Sequence, residues 1–138
     1  MIARTVVLDC HGLSLLIQED RKMMALVEQA RQQDARIVAS AVTLVEARNP
    51  KTRNQRRFNF AVSRITVEPV TKEIARCASD LLVEAGELHG HKYAIDAIVA
   101  ATALASQAPV LVITSDVSDL ERILGEHAKQ HSIAISGL

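Results

Sequence analysis

The sequence predicts an α/β fold with a parallel sheet covered on both faces by helices, and three observations predict it. Runs of branched aliphatic residues at Thr5 to Leu8, Arg36 to Ser40 and Val110 to Ile113 read as buried strands. Between them lie stretches with apolar residues at helical spacing, such as Met23, Leu26, Val27 and Ala30. Strand and helix alternate along the chain, which favours right-handed crossovers and hence parallel pairing.

Taken in order, Thr5 to Leu8 is the first strand and ends at Asp9. Leu13, Leu16 and Ile17 predict a short helix that stops near Glu19-Asp20, and the Met23 stripe predicts a second helix. The two adjacent methionines, Met23 and Met24, read as core filling at that spacing. Arg36 to Ser40 is the second strand. A helix from about Thr43 carries Glu46 toward Pro50, and the basic stretch after it continues as helix with Phe58, Ala61 and Val62 inward. Thr66 to Val70 is a short third strand, and Pro69 suits a sheet edge or a strand end. Thr71 caps a long helix with the stripe Ile74, Ala78, Leu81, Leu82 and Ala85, and Gly86 ends it. A loop from Glu87 to His91 leads to the alanine-rich helix around Asp96, which ends near Gln107. Val110 to Ile113 is the fourth strand. The segment from Ser115 to Asp119 opens the last clear helix, with Leu120, Ile123, Leu124 and His127 on one face. Ser132 to Ile135 is a short fifth strand.

At 138 residues the chain is expected to form one domain, residues 1–138, with a substantial core. Its apolar share of 49% and charged share of 23% are those of an ordinary soluble globular protein. The aromatic residues are Phe58, Phe60 and Tyr93, too few for a base-stacking platform. Any nucleic-acid recognition must therefore rest on charge and shape. The formal net charge is zero, but Arg48, Lys51, Arg53, Arg56, Arg57 and Arg64 follow one another without an intervening acid. Such a stretch is either a solvated helix face or a phosphate-binding face. Cys10 and Cys77 are too few for a disulfide framework, which fits a reducing cytoplasm. The first strand begins so close to Met1 that no signal peptide is expected, and no apolar run has the ~18 residues of a membrane span.

Four acids carry the chemistry. Asp9 ends the first strand, Glu46 follows the second, Asp116 follows the fourth after Thr114-Ser115, and Asp96 sits among alanines. The helix around Asp96 is small and apolar on every side, so it is expected to be buried. Asp is favoured in a first turn, so Asp96 is expected to open the helix, and a cap is one of its two readings. The other is a site carboxylate, since a buried acid ordinarily has a partner or a metal. Glu46 also has two readings, because Thr43 and Glu46 have the spacing of a capping box. In parallel α/β sheets ligands bind at the carboxyl ends of strands, so these acids are expected to crowd one site. Close carboxylates repel, and all-oxygen donors suit Mg²⁺ or Mn²⁺ rather than zinc. His89-Gly90-His91 could in principle ligate zinc, but no Cys or further His stands near it. His91 and His11 read better as residues beside the acidic site.

The segments VVLDCHGLSLLI, SAVTLVEA, HKYAIDAIVAATAL and LVITSDVSDL, in that order, resemble the PIN-domain nucleases. Within that family the nearest resemblance is to the VapC-type toxins, ribonuclease halves of toxin–antitoxin pairs. The chain departs in one detail: Cys10-His11-Gly12 follows Asp9 where Ser, Thr or Asn with Ala is usual, which bears on the expected loop after the first strand. The resemblance implies a three-layer α/β/α fold with a parallel sheet of about five strands. It also implies RNA as substrate, a cognate antitoxin as partner, and a homodimer. On this reading Asp9 and Asp96 are the principal metal ligands, Glu46 and Asp116 complete the site, and Asp119 is a further candidate for the fourth position. Two metal ions about 4 Å apart would activate water and stabilise the leaving oxygen. Thr114 and Ser115 could hold a carboxylate or a water. Arg48, Lys51, Arg53, Arg56 and Arg57 are the candidate RNA contacts.

Other classes compete. The acids alone would serve a DNA nuclease or a phosphatase equally well. A phospho-acceptor module needs a lysine at the end of a late strand, and Val110 to Ser115 offers none. An Asp-x-Asp phosphatase is disfavoured by Cys10-His11 after Asp9. A non-catalytic PIN-like module that binds RNA or protein is the principal alternative, and the presence of all four acids argues against it.

Overall fold

The structure is a computed structural model and describes residues 3–138. Its centre is β1 (Thr5–Leu8), every residue of which is buried. β2 (Arg36–Ser40) and β4 (Val110–Ile113) lie on either side of it. β3 (Thr66–Glu68) and β5 (Ile133–Ser136) form the two edges, giving the order β3-β2-β1-β4-β5. Every pair is parallel, with Val7 opposite Val38 on one side and Val112 on the other. The continuous apolar runs of the central strands follow from this, because both faces of each are covered.

Alternation along the strands sorts the core into two layers. Val6, Leu8 and Ile113 face α1 (Cys10–Ile17), α2 (Arg21–Gln32), α3 (Ala41–Ala47) and α4 (Gln55–Ser63), through Leu13, Ile17, Met23, Val27, Ala47 and Ala61. Val7, Val110 and Val112 face α5 (Lys72–Glu84), α6 (His91–Leu104) and α7 (Val117–Leu124), through Leu81, Ala97, Ala100, Leu120 and Leu124. A short helix, α8 (His127–Gln130), leads into β5. This is the expected three-layer α/β/α architecture with five strands. Among the described residues no helix is long and apolar enough to cross a membrane.

The expected capping pattern holds in part. Thr71 accepts the Ile74 N–H and caps α5, and β3 is an edge strand as Pro69 suggested. Four expectations are corrected. No loop follows β1, because Cys10, His11 and Gly12 form the first turn of α1. A Cβ on Gly12 would lie 3.3 Å from Leu8 Cβ, so the bare glycine lets α1 start hard against the strand. α3 begins at Ala41 behind the cap Ser40, not near Thr43. The basic stretch does not continue α3; a turn around Pro50 separates α3 from α4, whose cap is Asn54. His127 is not on α7: the chain turns at Gly125 with φ +51, and His127 on α8 meets Glu84 at 2.8 Å.

Candidate metal centre

β1 is the third strand of the sheet, and the chain leaves it toward β2 on one side and later returns as β4 on the other. The carboxyl end of such a switch is where open α/β sheets leave a crevice. Both strands deliver an acid there. The Asp9 N–H donates to the Ile113 carbonyl at 3.1 Å, which joins the ends of β1 and β4. Asp9 Oδ1 accepts the Gly12 N–H at 3.0 Å, so this acid caps α1 and is only 3% exposed. Asp116 follows β4. The buried Thr114 hydroxyl accepts the Asp116 N–H at 2.9 Å. Thr114 thus fixes the backbone of an acid, and Ser115 is exposed. Asp116 makes no cap to α7 with its side chain, and Asp119 lies in the first turn of that helix.

Asp96 does not open its helix. α6 starts at His91, behind Gly90 with φ +102, a backbone conformation natural only to glycine. Asp96 therefore lies in the second turn, beyond the orphan N–H groups that a cap serves. It is 6% exposed, and its Oδ2 is buried with no hydrogen-bond partner. A buried polar atom without a partner costs free energy unless something else occupies the site.

One oxygen each from Asp96, Asp116 and Asp119 lie within 4.8 Å of one another. Burial pushes the Asp96 carboxyl up to about 7, with the charges of Asp116, Asp9 and Asp119 adding to it and Lys92 opposing. Lys92 stands one turn before Asp96. Its Nζ lies 3.2 Å from Asp119 and 3.5 Å from Asp116, and these pairs, the hydrogen bond to Asp119 foremost, raise its pKa.

Asp9 and Glu46 stand outside this trio. Glu46 is exposed on α3, and because Ser40 is the cap, Thr43 and Glu46 do not form a capping box. Asp9, Glu46, Asp96 and Asp116 nevertheless all act on one thiol, Cys10, which burial first and then these four charges push up to about 12. Of the four expected acids, Asp96 and Asp116 are brought into one cluster, and Asp119 joins them there. The donor set fits a hard divalent cation: it is oxygens only, and one of its acids, Asp96, is buried with an oxygen unpartnered. No histidine belongs to this cluster, and His89 and His91 are exposed, His91 in the first turn of α6 rather than in the preceding loop.

A groove of about 480 Å³ adjoins α1 and is lined by His11, Ser14, Gln18, Asn49 and Lys51. It connects the segment just after Asp9 with the start of the basic stretch. Arg48 donates to the Arg53 carbonyl at 2.9 Å and stacks over Phe58, so it is tied into the turn between α3 and α4. Lys51, Arg53, Arg56 and Arg57 are exposed and form no ion pair among the described residues. Sequence reasoning missed Lys92 and Cys10. Lys92 was legible as a basic residue four before Asp96, a spacing that shares a helix face; Cys10 had no signal beyond its place beside Asp9.

A model of the PIN domain family matches residues 6–124. Among solved structures, the chain is similar to the crystal structure of VapBC2 from Rickettsia felis bound to a DNA fragment from their promoter. The TM-score is 0.64 at 15% sequence identity, over 96% of this chain and 97% of that one. At that identity the likeness is one of fold. No curated protein matches the sequence.

Proposed function

This chain belongs to the PIN domain family, whose members are generally nucleases, and from that premise we propose that it is a Mg²⁺- or Mn²⁺-dependent ribonuclease. The observation that carries the proposal is that Asp96, buried and with one oxygen unpartnered, clusters with Asp116 and Asp119. A helix of alanines would not bury such a group for packing alone.

Asp96, Asp116 and Asp119 would hold the cation, with Asp9 and Glu46 bordering it directly or through water. When bound, the ion polarises the phosphodiester and lowers the pKa of a water. The chain's own residues do the rest. The Thr114 hydroxyl and the Ile113 carbonyl fix the backbones of Asp116 and Asp9, so both acids are set before substrate arrives. Lys51, Arg53, Arg56 and Arg57 supply positive charge for phosphates approaching along the groove beside His11. With few aromatics to stack bases, RNA would be held by its backbone.

The biological reading is a toxin of a toxin–antitoxin pair, acting in the cytoplasm as a single PIN-like domain over residues 1–138, as a homodimer, and held in check by an antitoxin protein. Its support is the motif resemblance and the likeness in fold to VapBC2, a complex solved on a piece of its promoter. The test is direct. Purified protein with total tRNA and rRNA is expected to cleave in Mn²⁺, to stop in EDTA, and to lose activity as Asp96→Asn. Cleavage that persists in EDTA, or RNA bound but left whole in Mn²⁺, would replace this reading with the non-catalytic one.

A further inference from the structure

Lys92 is the one basic side chain paired with the acids of the site among the described residues. It forms ion pairs with two of the three clustered carboxylates and none with the third. Its Nζ is 3.2 Å from Asp119 and 3.5 Å from Asp116, whereas the buried oxygen of Asp96 has no partner. The cluster is therefore asymmetric: one side carries a tethered cation, and the other has an unmet acceptor. One carboxylate oxygen from each of the three acids lies within 4.8 Å of the other two.

We propose that the Lys92 ammonium stands permanently in the place of a second divalent ion, so that the centre takes a single Mg²⁺ or Mn²⁺ on the Asp96 side. The inference rests on the metal-dependent reading of the same acids and sets the number of ions at one. Three carboxylate charges are matched by one divalent ion and one ammonium. Asp9 has already committed an oxygen to the first turn of α1, and Glu46 is solvated, so neither acid demands a further cation. In a two-metal site the ions stand about 4 Å apart. A second ion shared by Asp116 and Asp119 would have to lie where the ammonium lies, or expel it. Lys92 is on the same helix as Asp96, one turn earlier, so the helix holds its backbone beside the acids.

The rival is simple displacement, since ion pairs open to solvent are weak and Lys92 is well exposed. If displacement wins, the wild type binds two ions. The experiment counts ions on the full chain and needs no RNA: Mn²⁺ titration followed by calorimetry and by the electron paramagnetic resonance of free Mn²⁺. The expected count is one for wild type, one for Lys92→Arg, and two for Lys92→Met. Lys92→Gln repeats the neutral variant, and melting in EDTA confirms that each protein is folded. Two ions in the wild type, or one ion in both neutral variants, overturns the inference while leaving the metal-dependent reading intact. No ion in any protein overturns that reading and this inference with it.

Discussion

Asp96 is a carboxylic acid in a place that suits its neutral form when no cation is present. Burial and three neighbouring acids push its pKa up to about 7, from an ordinary value of 3.8. Between those values the folded protein holds a proton that the unfolded chain has released. Stability of the metal-free protein is therefore expected to fall as pH rises from about 4 through about 7. Each pKa unit is about 1.4 kcal/mol, so the loss is on the order of a few kcal/mol and several degrees of Tm. Melting in EDTA across that range checks it. Asp96→Asn keeps the shape without the charge and should flatten the profile, and Mn²⁺ should restore the wild type most strongly at the alkaline end. A wild-type profile that rises over the same range would mean that Asp96 is stabilised as the anion by a protein partner. The burial of this residue was legible in its alanine setting, but its position was not. Nothing between Gly90 and Ile95 has a capping side chain, so residue types alone point to the acid as the cap, whereas Gly90 opens the helix by backbone conformation.

At the scale of elements, helix starts were the least legible feature, for one reason. Ser40 ends its strand and Asp9 directly follows one, and each caps the next helix, so no loop separates strand from helix. The strands themselves were legible because double burial demands unbroken aliphatic runs. The turn from Arg48 to Asn54 is invisible to helical periodicity, although Pro50 signals it, and it changes the meaning of the basic stretch. Lys51 and Arg53 belong to a turn beside the groove, while Arg56 and Arg57 open α4. Positive charge in a first helical turn is unfavourable to the helix dipole. A chain that tolerates it, with no acid nearby in sequence, has placed the charge for something outside itself. Changing Arg53, Arg56 and Arg57 together to Gln is expected to weaken RNA binding and to reduce the slope of log affinity against log salt by up to about 3, one for each phosphate no longer neutralised. Asn54 and the buried Ala61 remain, so the helix should keep its place and its melting temperature. An unchanged slope would make these residues a solvated face only.

For the whole molecule, the sheet order explains why the acids could be grouped from sequence and why their pairing could not. Strand ends in a parallel sheet share one edge, so Asp9 and Asp116 were bound to be neighbours once the strands were recognised. Which carboxylates touch depends on helix azimuth, and that is set by packing between α6 and α7; hence Asp119 enters the trio and Glu46 stays outside. If the proposed toxin role holds, expression without a partner should arrest growth, and Asp96→Asn should relieve the arrest at equal protein level. Equal toxicity of the two would remove catalysis as its cause.

The order of strands has a further consequence, one of timing. β1 is made first yet sits in the middle, and one of its two neighbours, β4, is made after residue 109. Asp9 thus waits for Asp116 and Asp119 through most of synthesis. A nascent chain emerging from the ribosome has no complete centre until its last quarter is exposed. If the proposed ribonuclease role holds, the chain would be inert while it is being translated, and a prematurely released fragment would be harmless.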